Sequence, residues 1–384
     1  MKQITVINIL DYNPNKLGGT EEYTIRLSQR LKEKGWKSIL VYSEMPPENL
    51  YRLFEESGAE LVVLNRQRLG NLRYHWELFK LIRKDRPDIV HTIHFPFYNL
   101  IPLIIRLAGS KNIFISEWTT ESLKRQALIK KCLNILRNRL YNILIARVIA
   151  ISRCVLKNRI AYSVGIDSKK MVLIYGSINL ERFLPKRDPS LKKELNIPEE
   201  NYVITAISHL VEIKGMDYLL YATPEILMAI PNVTFLIVGY GKEKERLMRL
   251  TEELNIKDRV IFTGTRSDTE RILNITDIFV MPSICEEAFG FVGVEAMACG
   301  VPVVASCIGG IPEVVENETT GILVPPRDAP AITQACIKLL KDQNLREKMG
   351  EAGRKRAEEL FDLNQMVNKI IDLYERSLEC YKGE

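Results

Sequence analysis

Thirteen short β-branched runs punctuate the chain, each separated from the next by a longer amphipathic segment. The first seven are Thr5–Ile9, Ser38–Val41, Leu61–Leu64, Ile89–Thr92, Ile113–Ser116, Val148–Ile151 and Val172–Ile174. After the polar stretch Pro185 to Glu200 come Val203–Ile207, Thr234–Val238, Val260–Phe262, Ile278–Met281, Pro302–Ala305 and Gly321–Val324. Strands that alternate with helices pair in parallel and are covered by helices on both faces, which predicts an α/β fold in two doubly wound halves. Between the halves, Leu184-Pro185-Lys186-Arg187-Asp188-Pro189-Ser190 carries two prolines and clustered charge, the composition of a linker. The expected domains are therefore residues 1–180 and 181–361, with 362–384 a C-terminal helix that packs back on the N-terminal domain.

Several classes are excluded by the same reading. The opening Met1 to Leu10 is interrupted by Thr5 and Asn8, so it lacks the unbroken apolar region of a secretory signal and reads as a first strand. The greasiest stretch, Tyr98 to Ala108, is broken by Pro102 and Arg106, short of the roughly 18 apolar residues a membrane span requires. Seven scattered cysteines without a Cys-x-x-Cys pair fit a reducing compartment, and a cytoplasmic location is expected. The net charge of +6 suits anionic ligands or a lipid surface and is too small to point to nucleic acid.

In open α/β sheets ligands sit at the carboxyl ends of strands, where a loop enters a helix N-terminus, and two such sheets facing each other make a cleft. The loop Asp11–Gly19 ends in Gly18-Gly19, which lets backbone N–H groups approach a phosphate or simply makes a turn. Val238-Gly239-Tyr240-Gly241 lacks the third glycine of a dinucleotide fingerprint, since position 244 is Lys, so a nicotinamide enzyme is not indicated. Farther on, Glu287 lies in a loop and Glu295 inside the following helix. Eight helical residues span about 12 Å, beyond the roughly 5–9.5 Å of a glycosidase carboxylate pair. The two glutamates thus read as gripping different parts of one long ligand, with the amides of Phe289, Gly290, Phe291 and Val292 available to an anion between them.

Glu287 and Glu295 are followed by Ala296-Met297-Ala298-Cys299-Gly300-Val301-Pro302-Val303-Val304 and by Gly309-Gly310-Ile311-Pro312-Glu313. This pattern resembles the retaining glycosyltransferase family 4, whose members have the GT-B architecture of two Rossmann-like domains facing across a cleft. The likeness extends through Gly321-Ile322-Leu323-Val324-Pro325 and, more loosely, to Gly18-Gly19 and Lys214-Gly215. It implies that Glu287 contacts the sugar hydroxyls of a nucleotide-diphosphate-sugar donor and that Glu295 contacts the ribose. It further implies that the Phe289–Val292 amides and Lys214 hold the diphosphate, with Gly239 and the base-proximal Thr265 also on the donor side.

Two positions depart from the family pattern. Relatives commonly carry an arginine five residues before the lysine, where this chain has His209; arginine offers phosphate a permanent forked charge, and histidine does not. Relatives also show a histidine after the strand Ile113–Ser116, where this chain has Glu117-Trp118-Thr119; His91 and His94 read either as substitutes on the acceptor side beside Glu117 and Trp118 or, equally, as structural residues.

The segment Lys124 to Arg147 carries seven Lys/Arg and no acidic residue, interleaved with Leu and Ile. It reads either as a basic amphipathic helix able to lie on anionic lipid or as a domain helix with a solvated face.

The expectation is a retaining glycosyltransferase that moves a sugar to a hydroxyl of a glycan or lipid-linked acceptor. It needs no cofactor and, since the chain contains no Asp-x-Asp tripeptide, no metal. The alternatives are a nucleotide-sugar-binding protein of the same fold that has lost turnover, motivated by His209 and Trp118, and a UDP-sugar epimerase, which lacks this glutamate spacing.

Overall fold

The computed structural model describes residues 3–10, 12–93, 100–118, 139, 141–162, 167–186 and 188–380. It divides into two compact units, Met1–Gly176 with Leu363–Glu384, and Ser177–Asp362. The first unit holds seven strands: β1 (Thr5–Leu10), β2 (Lys37–Tyr42), β3 (Ala59–Val63), β4 (Ile89–Ile93), β5 (Asn112–Glu117), β6 (Arg147–Ala150) and β7 (Met171–Leu173). They form one parallel sheet in the order β3-β2-β1-β4-β5-β6-β7. The second unit holds β8 (Tyr202–Ile207), β9 (Val233–Val238), β10 (Val260–Gly264), β11 (Ile278–Met281), β12 (Val303–Ser306) and β13 (Gly321–Val324). These are parallel in the order β10-β9-β8-β11-β12-β13. Both units are Rossmann-like, as the alternating runs predict.

Every residue of β1 and of β9 is buried, as expected of central parallel strands covered on both faces, whereas β3 lies at a sheet edge and is partly exposed. In the first unit Ile7, Ile9, Ile39, Val41, Val90 and Ile113 pack on Tyr74, Leu78 and Ile82 of the helix Arg66–Asp85 and on Ile101 and Ile105 of the helix Ile101–Leu107. In the second, Ile204, Phe235, Ile237 and Val280 pack on Leu219, Leu220 and Ile226 of the helix Met216–Ala229 and on Ile332, Cys336 and Leu339 of the helix Ala329–Lys341. The opposite face of that sheet is closed by Leu191, Ile197, Ile272 and Ile275. No helix among the described residues is long and apolar enough to cross a membrane.

In both sheets the strand order reverses, between β1 and β4 and between β8 and β11. At such a point neighbouring strands send their following connections in opposite directions, which opens a crevice at their carboxyl ends.

Of its two readings, the structure gives His91 the structural one and corrects its place among the acceptor-side candidates. It lies on β4, fully buried, with Nδ1 sharing a hydrogen bond with the Tyr374 hydroxyl at 2.6 Å and Nε2 sharing one with Ser116 Oγ at 2.7 Å. Both ring nitrogens are engaged in tying the helix Leu363–Cys380 to β4 and β5, so the residue has no atom left for an acceptor. Burial lowers its pKa from 6.5 to about 3. His94 lies outside the described residues, as does most of the basic segment; of its seven cations only Arg139 and Arg147 are described.

The His91 shift has a pH consequence. Its pKa in the folded protein lies below the unfolded value, so the unfolded chain binds the extra proton as pH falls below about 6.5, and stability is lost progressively from there towards pH 3. We expect His91→Gln to flatten the fall of melting temperature between about pH 6.5 and 4.5 relative to the wild type. Parallel melting curves of the two proteins across that range would contradict this assignment.

Candidate active site

The reversal between β8 and β11 brings two connections together in the second unit. After β8 the chain makes a single tight turn, Glu212–Lys214, ended by Gly215 at φ +64°. A side chain there would run into the Pro282 carbonyl just beyond β11, so glycine is required both by the left-handed backbone and by the close approach. Beside it, Ile284 N–H donates to the Ile213 carbonyl at 3.0 Å, joining the two connections through backbone. Lys214 Nζ consequently reaches Glu287 Oε1 at 2.5 Å, and Ser283 Oγ donates to the same oxygen at 2.7 Å. Glu287 Oε2 has no hydrogen-bond partner among the described residues and is open to a hydroxyl donor.

The Glu287 loop is supported from behind by Gly309-Gly310. Gly310 N–H donates to the Glu287 carbonyl at 2.7 Å. Gly309 sits at φ +60°, and a Cβ there would stand 2.6 Å from Glu287 N and 2.5 Å from its carbonyl oxygen. The chain then enters the helix Phe291–Ala298 through Gly290 at φ +110°. The first amides of a helix have no intrahelical acceptor, and this start lies at the carboxyl end of β11. The Phe289 ring is buried between Phe291 and Phe361, at centroid distances of 5.1 and 5.3 Å, so Phe289 can offer a ligand only its backbone. Glu295 is half-buried, farther along the same helix.

His209 is exposed on the connection after β8, its ring 5.4 Å from that of Tyr240. The Gly-Tyr-Gly turn after β9 holds this pair: Leu210 N–H donates to the Tyr240 carbonyl at 2.8 Å, and side chains at Gly239 and Gly241 would strike the Ser208 and Leu210 carbonyls. The glycine requirement at Gly239 is therefore met by backbone packing inside the protein. Gly239 N–H also donates to Gly264 O at 2.9 Å, which places the exposed Thr265 at the end of the neighbouring strand. Tyr240 escaped the reading of the sequence, although the two flanking glycines marked its position.

In the first unit Gly18 caps the helix Gly19–Glu33, and its N–H donates to Glu21 Oε2 at 3.0 Å, so the chain's own carboxylate occupies that helix start. Gly19 has open space around it. Glu117 and Trp118 stand at the carboxyl end of β5, both buried, with the indole 5.9 Å from the Tyr23 ring.

Two family models account for most of the chain: Glycosyltransferase Family 4 matches residues 17–182 and Glycosyl transferases group 1 matches residues 188–356. The chain belongs to this family of glycosyltransferases. It is 34% identical over 208 residues to the N-acetyl-alpha-D-glucosaminyl L-malate synthase of Bacillus anthracis, a match covering 54% of each protein. The chain thus spans about half the length of that relative. It is 29% identical over 306 residues, 77% of each chain, to the UDP-Gal:alpha-D-GlcNAc-diphosphoundecaprenol alpha-1,3-galactosyltransferase of Escherichia coli. The crystal structure of a glycosyltransferase from Rickettsia africae superposes with a TM-score of 0.81 at 23% identity, over 98% of this chain and 99% of that one, a likeness of GT-B fold.

The glycine contacts generate a prediction for the family's motif. Gly215→Ala and Gly309→Ala each force a side chain into left-handed backbone and a close contact, and each is expected to destabilise the protein by about 1–2 kcal/mol or more. Gly19→Ala, with no atom within 4 Å of the added Cβ, is expected to be near neutral. Denaturant titration of the three variants is the check, and equal midpoints would refute it.

Proposed function

We propose that the chain transfers a sugar from a nucleotide-diphosphate-sugar to a hydroxyl of a glycan or lipid-linked acceptor, with retention at the anomeric carbon and without a metal or cofactor. The observation that carries this reading is the Lys214–Glu287 pair at the reversal point of the second sheet, with one carboxylate oxygen left open. The E. coli relative, whose name specifies a UDP-sugar donor and a diphosphate-lipid acceptor, supports the donor and acceptor classes.

In the proposed mechanism the acceptor hydroxyl attacks the face of the anomeric carbon from which the diphosphate departs. Its proton passes to the leaving phosphate oxygen, so no covalent enzyme nucleophile is required. Lys214, the amides of Gly290, Phe291 and Val292, and His209 stabilise the negative charge that grows on the diphosphate, a contribution largest when the donors are held in place beforehand. Glu287 takes hydrogen bonds from the sugar hydroxyls through its open oxygen, and Glu295 takes them from the ribose. On this reading Glu117 and Trp118 lie on the acceptor side, and Lys124–Arg147 supplies a peripheral contact with anionic lipid.

A thermal-shift panel of UDP-, GDP-, ADP- and dTDP-sugars is the first test, because a ligand that binds only the native state stabilises it according to its affinity. One clear shift names the donor. With that donor, Glu287→Ala and Lys214→Ala are each expected to lower transfer by about 10²-fold or more, the scale of losing one charge-stabilising group. Turnover at the wild-type rate in either variant overturns the assignment of that residue. Donor binding without transfer to any glycan or lipid acceptor supports instead the reading of a binder that has lost turnover. His209→Arg, by adding a permanent forked donor, is expected to tighten donor binding in calorimetry.

A further inference from the structure

The first unit carries a second concave site at the edge opposite the carboxyl ends of its strands. A cavity of about 460 Å³ is lined by Arg83, Arg86, Asp88, Lys111 and Asn112, with Pro87, Ala108 and Gly109 completing its wall. Asp88 and Asn112 stand at the amino ends of β4 and β5. The cavity is therefore separated from Glu117 by the length of β5, about 16 Å at roughly 3.3 Å per residue.

The groups on its floor are already engaged. Asp88 Oδ2 accepts from Thr5 N–H at 2.9 Å. Asn112 Nδ2 donates to the Asp88 carbonyl at 3.0 Å, and its Oδ1 accepts from Ser377 Oγ at 2.7 Å. These bonds fix β1, β4, β5 and the terminal helix around the cavity and leave the floor rigid.

The two arginines are in a different condition. Arg83 lies in the last turn of the helix Arg66–Asp85, and Arg86 follows it in left-handed backbone at φ +45°. Both are exposed, and neither guanidinium bonds a carboxylate or a carbonyl among the described residues. A cation at a helix C-terminus can be held there simply by the last carbonyls. These two hold none of them, whereas Arg182, Arg271, Arg354 and Arg356 each grip a carboxylate or a carbonyl. Among the described residues the two guanidiniums line the cavity together with Asp88, which accepts the backbone N–H of Thr5 on one oxygen. Guanidinium forks are suited to the oxygens of a phosphate group, and this cavity has two of them in its wall.

We propose that this cavity is a phosphate-binding site, distinct from the donor site, that takes a phosphate group carried either by a small soluble phosphate or diphosphate or by a phospholipid headgroup. The two sources share one chemistry at the arginines. Leu107, which is 65% exposed immediately before the lining residues Ala108 and Gly109, would enter the bilayer if the source is lipid. The site is independent of the function proposed above and stands or falls without it.

The test uses the full chain with Lys214→Ala as background, so that diphosphate binding at the donor site does not mask the result. Inorganic phosphate and pyrophosphate are titrated by calorimetry. Sedimentation is measured with phosphatidylcholine vesicles with and without phosphatidylglycerol. Binding of pyrophosphate, or selective binding of the anionic vesicles, is expected to weaken by about tenfold or more on adding Arg83→Gln and Arg86→Gln. It is expected to be unchanged by Lys84→Ala, the neighbouring cation outside the lining. Because both arginines are exposed, the double variant should melt with the wild type in the absence of ligand. Pyrophosphate binding alone identifies a soluble source, vesicle binding alone identifies a headgroup, and both together identify a site open to either. Failure of both probes to bind, or binding that survives the double substitution, overturns the proposal.

Discussion

A parallel sheet that reverses its strand order sends two loops away from each other, and the candidate active site depends on how those loops are brought back into contact. Here the contact is made by backbone. Ile284 N–H reaches the Ile213 carbonyl, Gly215 closes on Pro282, and Gly309-Gly310 lies against the carbonyls of Glu287 and Ala288. The Lys214–Glu287 pair is not what holds this arrangement together. A partly exposed ion pair contributes about 0–1 kcal/mol, no more than one of the backbone hydrogen bonds beside it at roughly 0.5–1.5 kcal/mol. The direction of cause runs from the loops to the pair: rigid backbone sets the ammonium and carboxylate in place, which is the condition for stabilising charge without reorganisation.

The first unit is organised around a buried polar connection. Tyr374 joins His91, and His91 joins Ser116, so the terminal helix is fixed to the middle of a sheet formed nearly 300 residues earlier in the chain. The surrounding apolar contacts supply most of the burial, but they are non-directional. A hydrogen bond with both partners buried adds registry, since sliding the helix would leave the imidazole and the phenol unsatisfied. Where the chain crosses between units, Ile178 N–H donates to the Phe361 carbonyl, which ties the outgoing and returning segments together inside the second unit.

What could be read from the sequence, and what could not, follows from the range of the interactions concerned. The strands were legible because a central parallel strand must be apolar on both faces, and local composition records that. The loop positions of Lys214 and Glu287 and the Gly290 helix entry were legible because each lies between a strand and the helix that follows it. The role of His91 stays open in the sequence because a strand histidine looks alike whether it faces a ligand or a core. Its partner, Tyr374, is 283 residues away and no local pattern announces it. Gly239 carried the opposite ambiguity. Its flanking pattern suggests a turn for a phosphate, yet the space beside it is filled by the Ser208 carbonyl. Gly309 and Gly310 were visible as part of the family pattern, but only the fold supplies their physical role, since the backbone they must clear lies more than twenty residues earlier.

The exchange of a family arginine for His209 alters the electrostatics of the proposed site in a way the geometry makes specific. An arginine at that position would share the diphosphate charge with Lys214; an imidazole leaning on Tyr240 offers no fork and no fixed charge. More of the task then falls on Lys214, whose ammonium is already neutralised by Glu287. On the proposed reading, an arriving diphosphate competes with that carboxylate for one cation and places a second anion near it. The conflict is relieved when Glu287 takes hydrogen bonds from neutral sugar hydroxyls through its open oxygen, because a carboxylate with two such donors depends less on its lysine. A nucleoside diphosphate without the sugar lacks those donors, so on the proposed reading the same pair favours the intact donor over the product left behind. On the proposed reading the arrangement ties recognition of the sugar to stabilisation of the leaving group through the Lys214–Glu287 contact between the two backbone-held loops.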